Sequence, residues 1–292
     1  MTTPTDSNVH ALAIDGTFDD CQALVKDMFN DADFRHETGL AGVNSINWAR
    51  VMAQTVYYFT ASAQLGGPDK EVAFSVPTGN FGDIFAGYVA KQMGLPIAQL
   101  MIATNINDIL ARVLKTGTYE IGDVVASTSP SMDIQVSSNF ERLLFEATGR
   151  NAAEVCRLMR ELTEKRKFSL SSNVLDVIRV SFAAERVDEV ETAKIIKDMF
   201  EKDGMLLDPH TAVGYGAALR SDLPVSTPIV TLATAHPAKF PASVEKACNR
   251  QAEEIIVTPE RVKVMMKQDE TYETYPNDLA QVQDFIRQKK TD

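Results

Sequence analysis

The chain is poor in the residues that staple or metallate a fold. Its three cysteines, Cys21, Cys156 and Cys248, are odd in number and far apart. That spacing excludes a disulfide frame and a cysteine metal cluster, and it reads as reduced thiols. The four histidines, His10, His36, His210 and His236, lack ligand spacing, so no metal site is expected. Basic charge is also scarce: 29 Lys and Arg face 40 Asp and Glu, for a formal charge of −11. Such a balance argues against a nucleic-acid surface and against an anionic membrane surface. No apolar run approaches the ~18 residues of a membrane span. Met1 to His10 has neither the basic start nor the apolar stretch of a signal peptide, and a cytoplasmic location is the expectation. There is no G-x-x-x-x-G-K-[ST] loop, no G-x-G-x-x-G fingerprint and no G-x-S-x-G elbow.

What is present is an α/β pattern. With 292 residues, 45% of them hydrophobic, the chain has material for about two domains with an ordinary core. Val9 to Ile14 reads as a short strand and Asp19 to Phe29 as a helix. Asn47 to Gln64 reads as a long helix, apolar at Trp48, Val51, Thr55, Val56 and Phe59. Glu71 to Val76 and Ile97 to Ala103 read as strands, each leading into a helix, Ile84 to Met93 and Asn107 to Thr116. Repeated strand–helix units imply a mostly parallel sheet flanked by helices. After Pro130 the texture turns helical, with no strong strand before Pro228 to Ala233. Residues 131–225 therefore read as a mostly helical insertion between 1–130 and 226–292, two parts of one domain. Glu253 to Val257 reads as a late strand and Pro276 to Lys289 as a terminal helix. Asp208-Pro209-His210 begins another helix, with Asp as N-cap and Pro at the first helical position. Gly214 and Gly216 inside it each disfavour helix by roughly 1 kcal/mol, which close packing would offset.

The densest signal is Pro77-Thr78-Gly79-Asn80-Phe81-Gly82-Asp83. A strand, a tight glycine turn and a helix N-terminus form a seat for an anion, because successive N–H groups and the helix dipole face the same point. The same loop also serves as an ordinary tight connection. Asp83 stabilises the helix start but repels an anion, so its side chain is expected to turn away. A second group is Asn44-Ser45-Ile46-Asn47-Trp48-Ala49-Arg50, where Asn44 or Ser45 can cap the long helix. Arg50 then stands against the dipole, and is either a clamp for a phosphate or carboxylate or a partner for a surface acid. A third is Thr231 to Phe240, at the carboxyl end of a strand, where ligands bind in parallel sheets. His210 and His236 are open between structural and direct roles.

Taken in order, these segments resemble those of the threonine synthases, in their microbial and fungal branch. The markers are Asp15-Gly16-Thr17-Phe18-Asp19-Asp20-Cys21, Asn44-Ser45-Ile46-Asn47, Pro77 to Asp83, Ser131 to Asn139, Asp208-Pro209-His210-Thr211 and Thr234 to Phe240, and the likeness runs over essentially the whole chain. The resemblance implies a tryptophan-synthase-β-like, fold type II enzyme with pyridoxal 5′-phosphate, a lyase that turns O-phospho-L-homoserine and water into L-threonine and phosphate. It implies that Gly79, Asn80, Phe81, Gly82 and Asp83 cradle the cofactor's phosphate. Thr234 would meet the pyridine nitrogen, and Ser45 and Arg50 would hold the substrate phosphate. The family's Schiff-base lysine lies in an F-K-D motif that has no match here. Lys26, Lys197 and Lys239 do not fit it, so no catalytic residue is assigned. The expectation is the C-terminal portion of such an enzyme, inactive alone. The alternatives are a non-catalytic phosphate-binding module and one chain of a two-chain enzyme.

Overall fold

The stretch Val72–Pro77 is buried along its whole length, the pattern of a strand covered on both faces of a parallel sheet. It is an inner strand of a four-stranded sheet. The computed structural model describes residues 2–4, 6–16 and 18–290. Two residues named above, Met1 and Thr17, lie outside them.

In chain order the elements begin β1 (Leu12–Asp15), α1 (Phe18–Asn30), α2 (Ala32–Thr38), α3 (Trp48–Gln64), β2 (Val72–Pro77), α4 (Gly82–Gln92), β3 (Ile97–Thr104) and α5 (Ile109–Thr116). They continue with β4 (Thr118–Glu120), α6 (Phe140–Ala147), α7 (Ala152–Lys165), β5 (Lys167–Ser169), α8 (Ser172–Arg179), β6 (Phe182–Arg186) and α9 (Glu189–Asp203). The last are α10 (Pro209–Ala218), β7 (Ile229–Thr231), α11 (Pro241–Cys248), α12 (Ala252–Ile255), α13 (Glu260–Met265), β8 (Glu273–Pro276) and α14 (Leu279–Lys290). Among the described residues no helix is long and apolar enough to cross a membrane.

Contacts divide the chain into two units, residues 43–257 and a second made of 1–42 with 258–292. In the larger unit four strands run parallel in the order β6-β3-β2-β7. The two faces of β3 show why both sides are covered. Leu100 and Ile102 join one core with Val72, Phe74, Val76, Ile84 and Leu110. Met101 and Ala103 join another with Ile195, Ala212, Val213 and Val244. Alternate residues of a strand point to opposite faces, so a continuous apolar run feeds two helix layers. Helix ends follow local chemistry. Asp188 caps α9 by accepting from Glu191 N at 2.9 Å, and Gly204 closes it at φ 67°. Gly117 closes α5 at φ 77°, a left-handed conformation that glycine adopts without a Cβ clash.

The smaller unit pairs β1 with β8 in parallel. Leu24, Met28, Phe34 and Val282 form its core. Asp31 caps α2 by accepting from Phe34 N at 2.9 Å, and Arg287 lies over the Phe34 ring at 5.1 Å while pairing with Glu37 at 3.1 Å.

Several expectations need correction. Residues 131–225 are mostly helical, but the absence of a strong strand there does not hold: β5 pairs antiparallel with β4, and β6 is the edge of the main sheet beside β3. Phe182-Ala183-Ala184-Glu185-Arg186 lacks the β-branched residues that mark strands. Glu253 to Val257 holds helix α12 in place of a strand. The strand that pairs with β1 is β8, whose Glu-Thr-Tyr-Pro sequence carries little apolar signal. In α3, Trp48 and Val56 are exposed, while Val51, Thr55, Tyr58 and Ser62 are buried.

Candidate ligand cleft

The loop after β2 is assembled by its neighbours. Thr78 N donates to Ala103 O at 2.8 Å, which ties the loop's start to β3. Phe81 stands at the N-cap of α4 with φ 64° and makes no side-chain cap. A bulky residue in the left-handed region is strained by roughly 1–3 kcal/mol. Its ring is 1% exposed, between Phe140 at 5.4 Å and Phe182 at 5.7 Å. Burying that ring returns about 1.5–3 kcal/mol, enough to hold the strained turn.

Two of the loop's carbonyls are engaged by the segment around Ser137. Gly79 O accepts from Ser137 Oγ at 2.7 Å. Asn80 O accepts from Asn139 N at 3.1 Å and Asn139 Nδ2 at 2.9 Å. With these acceptors engaged, the N–H side of the turn and the uncapped start of α4 are what remain for a ligand. Asn139 Nδ2 also donates to Ser45 O at 2.9 Å, so one side chain joins the glycine loop to the segment before α3. A Cβ on Gly82 would stand 3.3 Å from Ser45 O, a tight contact that glycine avoids.

The result is a cleft of about 670 Å³. All eight residues expected from sequence line it: Ser45 and Arg50 on the α3 side, Gly79 to Asp83 at the floor, and Thr234 beyond β7. The cap of α3 is neither Asn44 nor Ser45 but Asn47, whose side chain accepts from Ala49 N at 2.8 Å. That leaves Ser45 in the cleft wall. Arg50 has a long contact, Nη1 to Val43 O at 3.5 Å, and no ion pair among the described residues. Asp83 turns to Tyr58, whose hydroxyl lies 3.2 Å from Oδ1 and 2.8 Å from the Asp83 carbonyl. Burial pushes the Asp83 carboxyl up to about 6, opposed by the Tyr58 hydrogen bond and the Arg50 charge. His236 serves the backbone: its Nδ1 accepts from Ala238 N at 3.1 Å.

Other residues of the cleft carried weaker signals. Lys239, set aside from sequence, lines it, as does His210. Ser137 and Asn139 lay in a marker segment without an assigned part. Only their pairing with carbonyls more than fifty residues away gives them one. Gly214 is explained by contact: a Cβ there would lie 2.9 Å from Thr231 Cγ2 and 3.0 Å from Pro77 Cγ, which seats α10 directly behind the loop.

The family model described as threonine synthase, C-terminal, matches residues 211–286. The threonine synthase of Pseudomonas aeruginosa is 49% identical over 288 residues, 99% of this chain and 61% of that protein. The Saccharomyces cerevisiae enzyme is 47% identical, over 85% of this chain and 52% of its own. Among solved structures, PLP-bound threonine synthase from Brucella melitensis superposes with a TM-score of 0.93 at 54% identity, covering all of this chain and 62% of that one. The chain matches the C-terminal region of the threonine synthases. It spans about half to three-fifths of the length of these relatives. Its fold is the tryptophan-synthase-β-like type II architecture, with a mostly parallel sheet flanked by helices.

Proposed function

We propose that this cleft is the phosphate-binding side of a threonine synthase active site, and that it takes pyridoxal 5′-phosphate and O-phospho-L-homoserine. The observation that carries the reading is the glycine loop, with the Gly79 and Asn80 carbonyls tied back to Ser137 and Asn139 and the loop lining one cleft with Arg50 and Thr234. The donor set suits a phosphorylated ring. Backbone N–H groups of Gly79 to Asp83 at a helix start stabilise a phosphate. The Thr234 hydroxyl offers a neutral partner to a ring nitrogen and does not hold it protonated. The narrow approach at Gly79, where a Cβ would stand 2.6 Å from Ser131 O, favours backbone contact over side-chain contact.

When bound, the cofactor supplies an electron sink for the chemistry at the substrate's carbon skeleton. This chain's own residues bind and orient. Ser45 and Arg50 grip the substrate phosphate, the arginine through paired N–H donors, and hold it close to where phosphate leaves. Asp83, turned to Tyr58, keeps its charge from the phosphate seat. The reading includes formation of L-threonine and phosphate by the complete active site, with no catalytic lysine assigned to this chain.

The test is a titration of the full chain with pyridoxal phosphate, followed by absorbance, with Thr234→Ala and Gly79→Val alongside. Saturable uptake by the parent chain that the variants weaken is the expected result. Uptake that is non-saturable, or equal in all three, overturns the reading. Borohydride treatment with peptide mapping then reports any lysine that bonds the aldehyde. A specific adduct in this chain would overturn the absence of a Schiff-base residue.

A further inference from the structure

Behind the glycine loop lies a buried polar chain that the proposed function leaves unused. Asp208 is 1% exposed and His210 is 3% exposed. The Asp208 carboxylate caps α10, accepting from His210 N at 2.9 Å and Thr211 N at 3.4 Å. Its Oδ1 also lies 3.0 Å from His210 Nδ1. On the far side of the ring, Ser131 N donates to His210 Nε2 at 3.3 Å. An N–H can only donate, so Nε2 is the acceptor and the ring proton sits on Nδ1, pointing to Asp208. The hydrogen bonds of the imidazole therefore define one tautomer and one orientation, with Phe240 against the ring at 4.8 Å.

The partner of this ring matters. Ser131 is the residue whose carbonyl blocks any Cβ on Gly79, at 2.6 Å. The segment around it is anchored on its other side by the Asp133 carboxylate, which accepts from Ser127 N at 2.8 Å, Asn105 Nδ2 at 2.8 Å and Asn107 Nδ2 at 2.9 Å. Further along, Ser137 and Asn139 hold the loop carbonyls. His210 is thus the tie from α10 to the turn that presses on Gly79.

We propose that His210, oriented by Asp208, is a positioning residue for the glycine loop: by holding Ser131 N–H it sets the turn that backs Gly79 and so aims the loop's N–H groups into the cleft. The proposal rests on reading that loop as a phosphate seat. His210 acts through Ser131 and needs no contact with the ligand.

The experiment uses the whole chain, with His210→Phe, which keeps an aromatic body without an acceptor, and His210→Gln, which restores one. Amide hydrogen exchange is followed in peptides covering 77–83 and 129–139, without ligand, and pyridoxal phosphate uptake is measured separately. Losing the acceptor of the Ser131 N–H is expected to speed exchange in both peptides and weaken uptake by about tenfold in His210→Phe. His210→Gln should recover most of both. Unchanged exchange at 77–83 in His210→Phe overturns the proposal, as does His210→Gln behaving like His210→Phe. Should His210→Phe fail to fold, His210→Ala removes the same acceptor without the bulk of the Phe ring. Faster exchange at 129–139 then supports the proposal and unchanged exchange overturns it. If the parent chain takes up no pyridoxal phosphate, the phosphate-seat reading fails, and the exchange measurement still decides the positioning.

Discussion

The unit spanning residues 43–257 holds two cavities of similar size and opposite character. The larger, about 880 Å³, is walled by side chains such as Trp48, Phe85, Tyr88 and Phe145. Its two arginines are already engaged. Arg142 donates to Asn139 Oδ1 at 3.0 Å and to Ile46 O at 2.9 Å, and lies over Trp48 at 5.6 Å. Arg150 pairs with Glu146 at 3.2 Å. The smaller cavity is lined by the glycine loop, whose Gly79 and Asn80 carbonyls are engaged by Ser137 and Asn139. Volume alone does not make a binding site for an anion. Donors left without internal partners do, because their desolvation is already built into the fold.

The largest effect is expected from Gly79→Val. Its Cβ would lie 2.6 Å from a backbone oxygen that the surrounding network holds in place. Overpacking of this kind destabilises by about 1–3 kcal/mol, and it displaces the donors as well. Loss of saturable pyridoxal phosphate uptake, with a lower melting temperature, is the outcome; normal uptake would erase the distinction between the two cavities.

Asp83→Asn probes the same cleft through pH. The folded carboxyl is raised from 3.8 to about 6, chiefly by burial. The folded state therefore holds this proton more tightly than the unfolded one. Below about pH 3.8 the group imposes no penalty, and as pH rises through 6 it destabilises the fold by roughly 3 kcal/mol. The variant should be more stable than the parent at pH 8 and equal to it near pH 3.5, as read from denaturant midpoints. Equal stability at both would show that Asp83 is not held in a desolvated setting.

Arg50→Ala should weaken binding of inorganic phosphate or O-phospho-L-homoserine by about tenfold, the loss of a charge-assisted contact. The melting temperature should hardly move, because the side chain is exposed and makes only one long hydrogen bond and no ion pair among the described residues. Calorimetric titration checks this, and a stability loss without a binding loss would make Arg50 structural. The smallest effect is expected in the other cavity. Trp48→Ala removes a half-exposed ring and its contact with Arg142, worth about 0.5–1 kcal/mol. Pyridoxal phosphate uptake should be unchanged.

Much of the cleft could be read in advance because its parts are local. Pro77 to Asp83 announces a turn through its glycines, and β2 and α4 flank it as expected. The Asp208 cap of α10 and the close approach at Gly214 were equally legible. The misses share one cause. β6 and β8 take their extended form from neighbours in their sheets, not from their own residue types, and a short segment such as Ala252–Ile255 has too few residues for periodicity to separate helix from strand. Asn47 displaced Asn44 and Ser45 as a cap because cap choice depends on where the backbone actually turns.

Chain order and residue type alone therefore determined the strand, the glycine turn, the helix that follows and the family likeness, since each depends on backbone freedom and contacts a few residues apart. Only the folded chain decided which way the turn faces. Ser45 meets Asn139 across 94 residues and His210 meets Ser131 across 79. Such contacts need the whole sheet in place before Ser137 and Asn139 can engage the loop's carbonyls.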